Sequence, residues 1–96
     1  MNFFEKEKLS ALQAKEEAQW ITFAPFVFQA TRVLRDSGIL SLVESNRQGI
    51  TLDEVTEKID LPAYGIRVLM EAALGIGLLV LKDGKYKITK STFFIL

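Results

Sequence analysis

The 96-residue sequence contains no cysteine and no histidine. The absence of cysteine excludes disulfides, thiolate nucleophiles and cysteine metal sites, and it is compatible with a reducing cytoplasm, where we expect the protein. Without histidine, the usual general base and the commonest metal ligand are missing as well. The remaining acid pairs, such as Glu16/Glu17 and Asp53/Glu57, fall on helical faces that are predicted to be exposed. We therefore expect no catalytic, cofactor-binding or metal-binding residue in this chain.

The sequence also lacks an excess of positive or negative charge and a long apolar run. Twelve Lys and Arg balance twelve Asp and Glu, so no overall field attracts the chain to nucleic acid. The longest apolar run covers residues 72–81, which is about half of the ~20 residues that span a bilayer. Charges interrupt residues 1–9, where a signal peptide would be apolar. We therefore expect neither membrane insertion nor a secretion signal.

The length allows a single domain, because a chain of 96 residues buries roughly 60 to 70% of its unfolded surface around one core. Residues 1–20 are predicted to form an N-terminal arm. Residues 5–20 are dense in helix formers, while Leu9 and Leu12 make only a thin apolar stripe. A helix this polar needs a neighbour to be stable, so we expect the arm to lie across another surface.

A second helix is predicted over residues 25–37. Pro25 suits the first turn of a helix, and Gly38 suits the position after its end. The predicted core-facing residues of this helix are Phe26, Val27, Ala30, Val33 and Leu34. Three further aromatic residues fall partly outside that stripe: Phe28 and the preceding Trp20 and Phe23. These side chains remain available for a partner.

The rest of the chain is predicted to form three helices and a hairpin, namely residues 39–46, 52–59 and 63–75, then strands 78–81 and 85–88. Thr51 and Glu54 form a Thr-x-x-Glu capping box at the start of the second of these helices. Asp83-Gly84 is a favoured pair for a tight hairpin turn. The order predicts a mainly α fold with a small β-hairpin: a winged-helix-like core (helix-turn-helix plus wing) over residues 25–90, preceded by the arm helix.

Two glycines stand where the last helix turns into the first strand. Gly75 and Gly77 form a G-x-G, but this pattern precedes a strand, whereas a nucleotide fingerprint follows a strand and opens a helix. We interpret both glycines as positions that need a positive φ at the helix end.

A winged helix suggests DNA binding, with the third helix in the major groove. The outer face of helix 63–75 offers one arginine, Arg67, which Glu71 opposes four residues later. The preceding helix has a net charge of −3, from Asp53, Glu54, Glu57 and Asp60 against Lys58. Only the wing is basic, at +3, from Lys82, Lys85, Lys87 and Lys90 against Asp83.

Those lysines allow two interpretations. They either contact phosphates weakly and in a salt-sensitive way, or they keep an exposed edge strand from pairing with another chain. A winged-helix DNA-binding transcriptional regulator is therefore the alternative function, and its candidate contacts are Arg67, Lys82, Lys85 and Lys87. A further interpretation is a small-ligand binder or stand-alone interaction domain with an aromatic pocket between helices.

Several segments carry a resemblance to a known family. They are FVFQATRVLRDSGILSLV, then GITLDEV at residues 49–55, Arg67, Leu69 and Leu74 ahead of Gly77-Leu78-Leu79, and GKYKIT at residues 84–89. In this pattern, residues 26–89 resemble the N-terminal domain of S-adenosylmethionine-dependent O-methyltransferases that act on small molecules. The resemblance implies a winged-helix-like domain that holds two subunits together, packs on a C-terminal catalytic domain and sometimes helps to wall the substrate pocket.

On this resemblance the chain is the dimerisation and docking domain of a small-molecule methyltransferase, a homodimer that binds neither nucleic acid nor membrane. The surplus aromatic residues and the arm suggest the interface, which comprises Leu9, Leu12, Trp20, Phe23, Phe26 and Phe28. The chain lacks a strand followed by a Gly-rich turn, so we expect S-adenosylmethionine, the catalytic domain and any transferase activity in the parent protein, with the methyl acceptor left open. Ser91-Thr92 are expected to cap a further, truncated helix over residues 91–96.

Overall fold

The structure, a computed structural model, describes residues 9–96. Its elements are α1 (Ala11–Asp36), α2 (Ile39–Glu44), α3 (Leu52–Lys58), α4 (Ala63–Ile76), β1 (Leu79–Lys82), β2 (Lys85–Ile88) and α5 (Lys90–Phe93). The mainly α fold with a small hairpin is therefore confirmed. The start of the predicted arm, residues 1–8, lies outside the described residues. Among the described helices, none is long and apolar enough to cross a bilayer.

The arm and the first core helix form one continuous helix, α1, whereas the sequence predicted two helices separated by residues 21–24. Ser10 caps its start: the Ser10 hydroxyl accepts a bond from the Gln13 N–H, and Gln13 Oε1 accepts one from the Ser10 N–H. Pro25 lies inside the helix, where it has no N–H to donate to the carbonyl of Ile21. The helix runs from Ala11 to Asp36 on both sides of Pro25, so one missing bond does not end it.

The core lies between the C-terminal part of α1, helices α2 to α4 and the inner face of the hairpin. Its buried residues are Leu34, Ile39, Leu40, Val43, Ile50, Val55, Ile66, Met70, Ala73, Leu78, Leu79 and Tyr86. The apolar residues of α4 repeat with the helical period and form its inner face, where Ile66, Met70 and Ala73 are buried and Leu69 and Leu74 pack against the core.

The core-facing stripe of α1 is narrower than predicted. Ala30 and Leu34 are buried and Val27 is half-buried, but Phe26 and Val33 are exposed. The two latter predictions were wrong because α2 and α4 cover only one narrow side of α1, and hydrophobicity alone does not show how wide the covering surface is.

The two glycines at the end of α4 differ in their conformations. Gly77 follows the helix in the left-handed region, with φ 94°, as predicted. Gly75 lies inside α4 and has no positive φ, which corrects the prediction for that residue. The helix ends at Ile76, one residue beyond the predicted end, so Gly75 is a helical position without a side chain.

The wing is the antiparallel pair β1 and β2, in which Leu81 pairs with Tyr86. Asp83 and Gly84 both have positive φ, 53° and 75°, as the predicted tight turn requires. A third segment joins this sheet: Ile50 and Tyr86 exchange both backbone bonds, at 3.1 and 2.8 Å. Strand β2 therefore has partners on both sides, and β1 is the edge strand.

Helix α5 differs from the prediction that Ser91 and Thr92 cap a helix running over residues 91–96. Thr89 is its N-cap and the helix ends at Phe93. Thr92 lies inside it, fully buried, and its hydroxyl donates to the Leu78 carbonyl at 2.6 Å. The Thr92 hydroxyl therefore ties α5 to the start of the wing instead of capping a helix terminus.

Candidate interaction surface

Helix α1 extends well beyond the core. Its 26 residues correspond to a length of about 39 Å, and the described part of the chain measures 54 × 25 × 22 Å. Between residues 11 and 29, Ala14 and Val27 alone are half-buried and the other side chains are exposed. The N-terminal part of α1 therefore lacks an intramolecular partner among the described residues, although its C-terminal part is anchored by Ala30 and Leu34.

All predicted interface residues lie on this helix or directly before it, and all are exposed. They are Leu9, Leu12, Trp20, Phe23, Phe26 and Phe28. The exposed fraction is 57% for Trp20, 60% for Phe23 and 64% for Phe28. Soluble domains rarely expose contiguous apolar patches of large side chains unless the patch serves an interaction.

The helix distributes these residues over two sides. Trp20 and Phe23 lie on the side that carries Ala30 and Leu34 further along, so this side continues the core-facing stripe beyond the core. Phe28 is about 140° away from Phe23 around the helix axis at 3.6 residues per turn. The structure therefore does not bring the predicted interface residues together into one patch.

The first side borders an open groove of about 610 Å³ between α1 and the end of α4. The groove is lined by Gln13, Glu16, Glu17, Gln19, Trp20, Phe23 and Val27 from α1, and by Gly75 and Ile76 from α4. Sequence analysis did not single out Ile76, because it ended the helix at Gly75. The charged side chains that line the groove, Glu16 and Glu17, are both acidic.

Phe28 borders a smaller depression of about 210 Å³ on the opposite side, together with Thr31, Arg32, Arg35 and Ile95. Ile21, two turns before Phe28 and therefore on the same side, is 68% exposed. Sequence analysis did not single out Ile21. A signal was present, because Ile21 and Phe28 are seven residues apart, a spacing that repeats on one side of a helix.

The candidate nucleic-acid contacts are divided between two elements. Lys82, Lys85 and Lys87 are exposed and line one shallow depression on the outer face of the wing, with Val80 between them. Arg67 lies on α4 and is not part of that lining. Because β2 has a partner on each side, Lys85 and Lys87 do not protect an exposed strand edge from pairing with another chain. Of these three lysines, only Lys82 lies on the edge strand β1.

The acidic helix α3 is held by the capping box that the sequence predicted. The Thr51 hydroxyl accepts a bond from the Glu54 N–H at 3.2 Å, and a Glu54 carboxylate oxygen accepts one from the Thr51 N–H at 3.1 Å. The Thr51 N–H and the Thr51 hydroxyl both donate to the Glu54 carboxylate and lower its pKa from the ordinary value of 4.5, and Lys58 and Lys85 lower the pKa further through their charge. Glu54 thus stays ionised at neutral pH and contributes negative charge beside the wing.

No grouping of acidic side chains within residues 9–96 could hold a metal ion. Over the same residues, every buried side-chain nitrogen or oxygen has a hydrogen-bond partner. The described structure thus has no buried polar side chain left free for a ligand, and α1 carries more exposed large apolar side chains than any other described element.

Comparisons with known proteins agree with this picture. The model of the Dimerisation2-like domain family matches residues 15–86. A solved structure, the S-adenosylmethionine-dependent methyltransferase SibL in its apo form, superposes with a TM-score of 0.71 at 23% identity. The match covers 91% of this chain and 24% of that protein, so this chain spans about a quarter of its length. No curated protein matches the sequence. The family and structural matches confirm the resemblance seen in the sequence.

Proposed function

We propose that this chain, which belongs to the Dimerisation2-like domain family, is the dimerisation and docking domain of a small-molecule S-adenosylmethionine-dependent O-methyltransferase. Residues 1–20 act as its arm, residues 25–90 as its winged-helix core, and residues 91–96 as the start of the connection to the catalytic domain. That domain, its cofactor and the methyl transfer itself belong to the parent protein, which we place in the cytoplasm as a homodimer.

The observation that carries this proposal is the uncovered apolar surface of α1. Trp20 and Phe23 are more than half exposed although they continue the stripe that Ala30 and Leu34 bury in the core. If a second chain covers this stripe, each Å² of apolar surface removed from water stabilises the pair by about 25 cal/mol. Aromatic side chains are enriched at the centres of such interfaces.

Docking of a catalytic domain is supported by the second apolar side of α1. Phe28 and Ile21 face away from the groove, so one helix can contact two partners at the same time. Phe93 and Phe94, at the C-terminal end of the described fold, are also exposed. The structural neighbour is a methyltransferase of which this chain matches a quarter, which supports a larger parent protein.

The same proposal excludes nucleic acid as a partner. The three wing lysines lie on one face, but the neighbouring helix α3 exposes Asp53, Glu54 and Glu57, and these would approach a phosphate backbone with like charge. Arg67 offers a single basic side chain on α4, which is too little for base readout combined with phosphate contacts.

Light scattering at micromolar protein tests the dimer. We expect twice the mass of the chain for the parent sequence and the mass of one chain for Phe23→Asp or Phe26→Asp, because a carboxylate on this surface must be desolvated in the interface. Tyr64→Asp is the matched control, since Tyr64 is an exposed aromatic residue of α4 that does not line the groove. A monomeric parent chain, or a dimer that survives Phe23→Asp, contradicts the proposal.

A further inference from the structure

The groove between α1 and α4 suggests how two copies of the chain fit together. Its α1 lining begins at Gln13 and ends at Val27, and the residue midway between them is Trp20. Beyond Val27 the same side of the helix is closed by the core, because Ala30 and Leu34 are buried. A helix that fills the groove therefore has its central contact beside Trp20.

Charge decides the direction of that helix if it comes from a second copy. In a parallel pair, Glu16 and Glu17 of one chain would lie directly opposite the same residues of the other chain, and the groove lining supplies no cation to offset them. Like charges placed directly opposite each other are destabilising. In an antiparallel pair centred near Trp20, the two Glu16 side chains are separated by about 12 Å along the helix axis at 1.5 Å per residue. Each then lies near the uncharged Ala24 of the partner helix.

We infer that two copies pair α1 antiparallel in this groove, with a two-fold axis beside Trp20. The inference rests on the proposed dimer and specifies its geometry. Both grooves are then filled by the same residues, as an isologous interface requires. Phe28 and Ile21 stay on the outside of the pair, where they remain free for the rest of the parent protein.

Gly75 provides the second wall of the groove. A Cβ added at Gly75 meets no atom of its own chain within 4 Å, and the residue has ordinary helical geometry inside α4. A larger side chain at this position therefore does not disturb the single chain and even favours its helix. In the pair, the same side chain occupies space that the partner helix needs.

A cysteine scan tests the geometry, because the natural chain has no cysteine. Three exposed glutamines of α1 serve as matched sites: Gln19, Gln13 and Gln29. In the proposed pair, the two copies of Gln19 are offset by only about 3 Å along the axis, whereas the two copies of Gln13 are offset by about 21 Å. Gln29 lies on the far side of the helix from the groove.

We expect a short bismaleimide to join two chains of Gln19→Cys and to leave Gln13→Cys and Gln29→Cys uncrosslinked. Light scattering of the same variants reports separately whether a dimer is present. A dimer that crosslinks through Gln13→Cys reveals a parallel pair or another register, and one that crosslinks through Gln29→Cys uses the other side. A dimer that crosslinks at none of the three sites also refutes the geometry, without affecting the proposed function. A monomer refutes both.

A second variant tests the wall. Gly75→Gln should weaken dimerisation at least about tenfold, because the added side chain overpacks the interface. Gly65→Gln is the control, since a Cβ at Gly65, in the first turn of α4, likewise meets nothing within 4 Å but does not line the groove. Circular dichroism should show both variants folded. Equal dimerisation of the two folded variants contradicts a partner helix beside Gly75.

Discussion

Replacing Gly49 by alanine tests how the wing is joined to the helices. Gly49 has φ 102°, and an added Cβ would lie 2.7 Å from the Cβ of Lys85 on β2. Gly77 is the matched control: its φ of 94° is similar, but a Cβ there meets nothing within 4 Å. The two substitutions share the backbone strain, and they differ in the steric contact with β2.

The expected destabilisation follows from these two effects. A side chain with positive φ costs roughly 1–2 kcal/mol, and the lower entropy of the unfolded alanine chain offsets about 0.4–1 kcal/mol of this. Gly77→Ala should therefore lower the free energy of unfolding by about 1 kcal/mol. At Gly49 the contact with Lys85 adds about 1–3 kcal/mol, because two Cβ atoms on neighbouring backbones cannot rotate apart. We therefore expect Gly49→Ala to lower it by about 2–4 kcal/mol.

Urea unfolding followed by circular dichroism measures both variants at one protein concentration. The difference between them should be about 2 kcal/mol, which corresponds to roughly 8–16 °C in melting temperature for a domain of this size. Equal destabilisation by the two substitutions would show that Gly49 does not approach β2 closely. It would also contradict the backbone pairing of Ile50 with Tyr86, which brings Gly49 beside Lys85.

Two further predictions concern charge. Glu54→Gln should flatten the decrease of unfolding free energy as the pH falls below about 5, because a carboxyl group whose pKa is lowered in the fold stabilises the fold at pH values above its ordinary pKa. This stabilisation is lost as the pH falls through the lowered pKa. Glu57→Gln, which removes the same charge from α3 without a capping bond, is the control, and an equal effect of both would contradict the reasoning. Fluorescence anisotropy with mixed duplex DNA at low and moderate salt should show no salt-dependent binding, since acidic α3 lies beside the wing. Binding that Lys85→Glu and Lys87→Glu abolish would instead establish the DNA-binding alternative.

Short-range signals in the sequence predicted the local structure well. The Thr51 and Glu54 capping box and the Asp83-Gly84 turn form as expected, because each needs only residues within three positions of one another. The inner face of α4 was also predictable, since its apolar residues repeat with the helical period and the core covers the whole stripe.

Predictions failed where a distant segment decides the outcome. Pro25 was expected to start a helix, but one helix continues through this position from Ala11 to Asp36. Phe26 and Val33 have the periodicity of core residues and yet are exposed, because no other element reaches that side of α1. The pairing of Ile50 with Tyr86 joins residues 36 positions apart, and no local sequence pattern predicts such a contact.

The sequence by itself determined the order of helices and hairpin, the absence of thiol and imidazole chemistry, and the surplus of aromatic residues around α1. These properties follow from residue type and from spacing along the chain. The tertiary structure alone decided that these aromatic residues stay uncovered on one long helix and that Gly75 faces a groove beside Trp20. The physical reason is that exposure depends on which surfaces the core covers, and coverage is a property of packed elements rather than of any one segment.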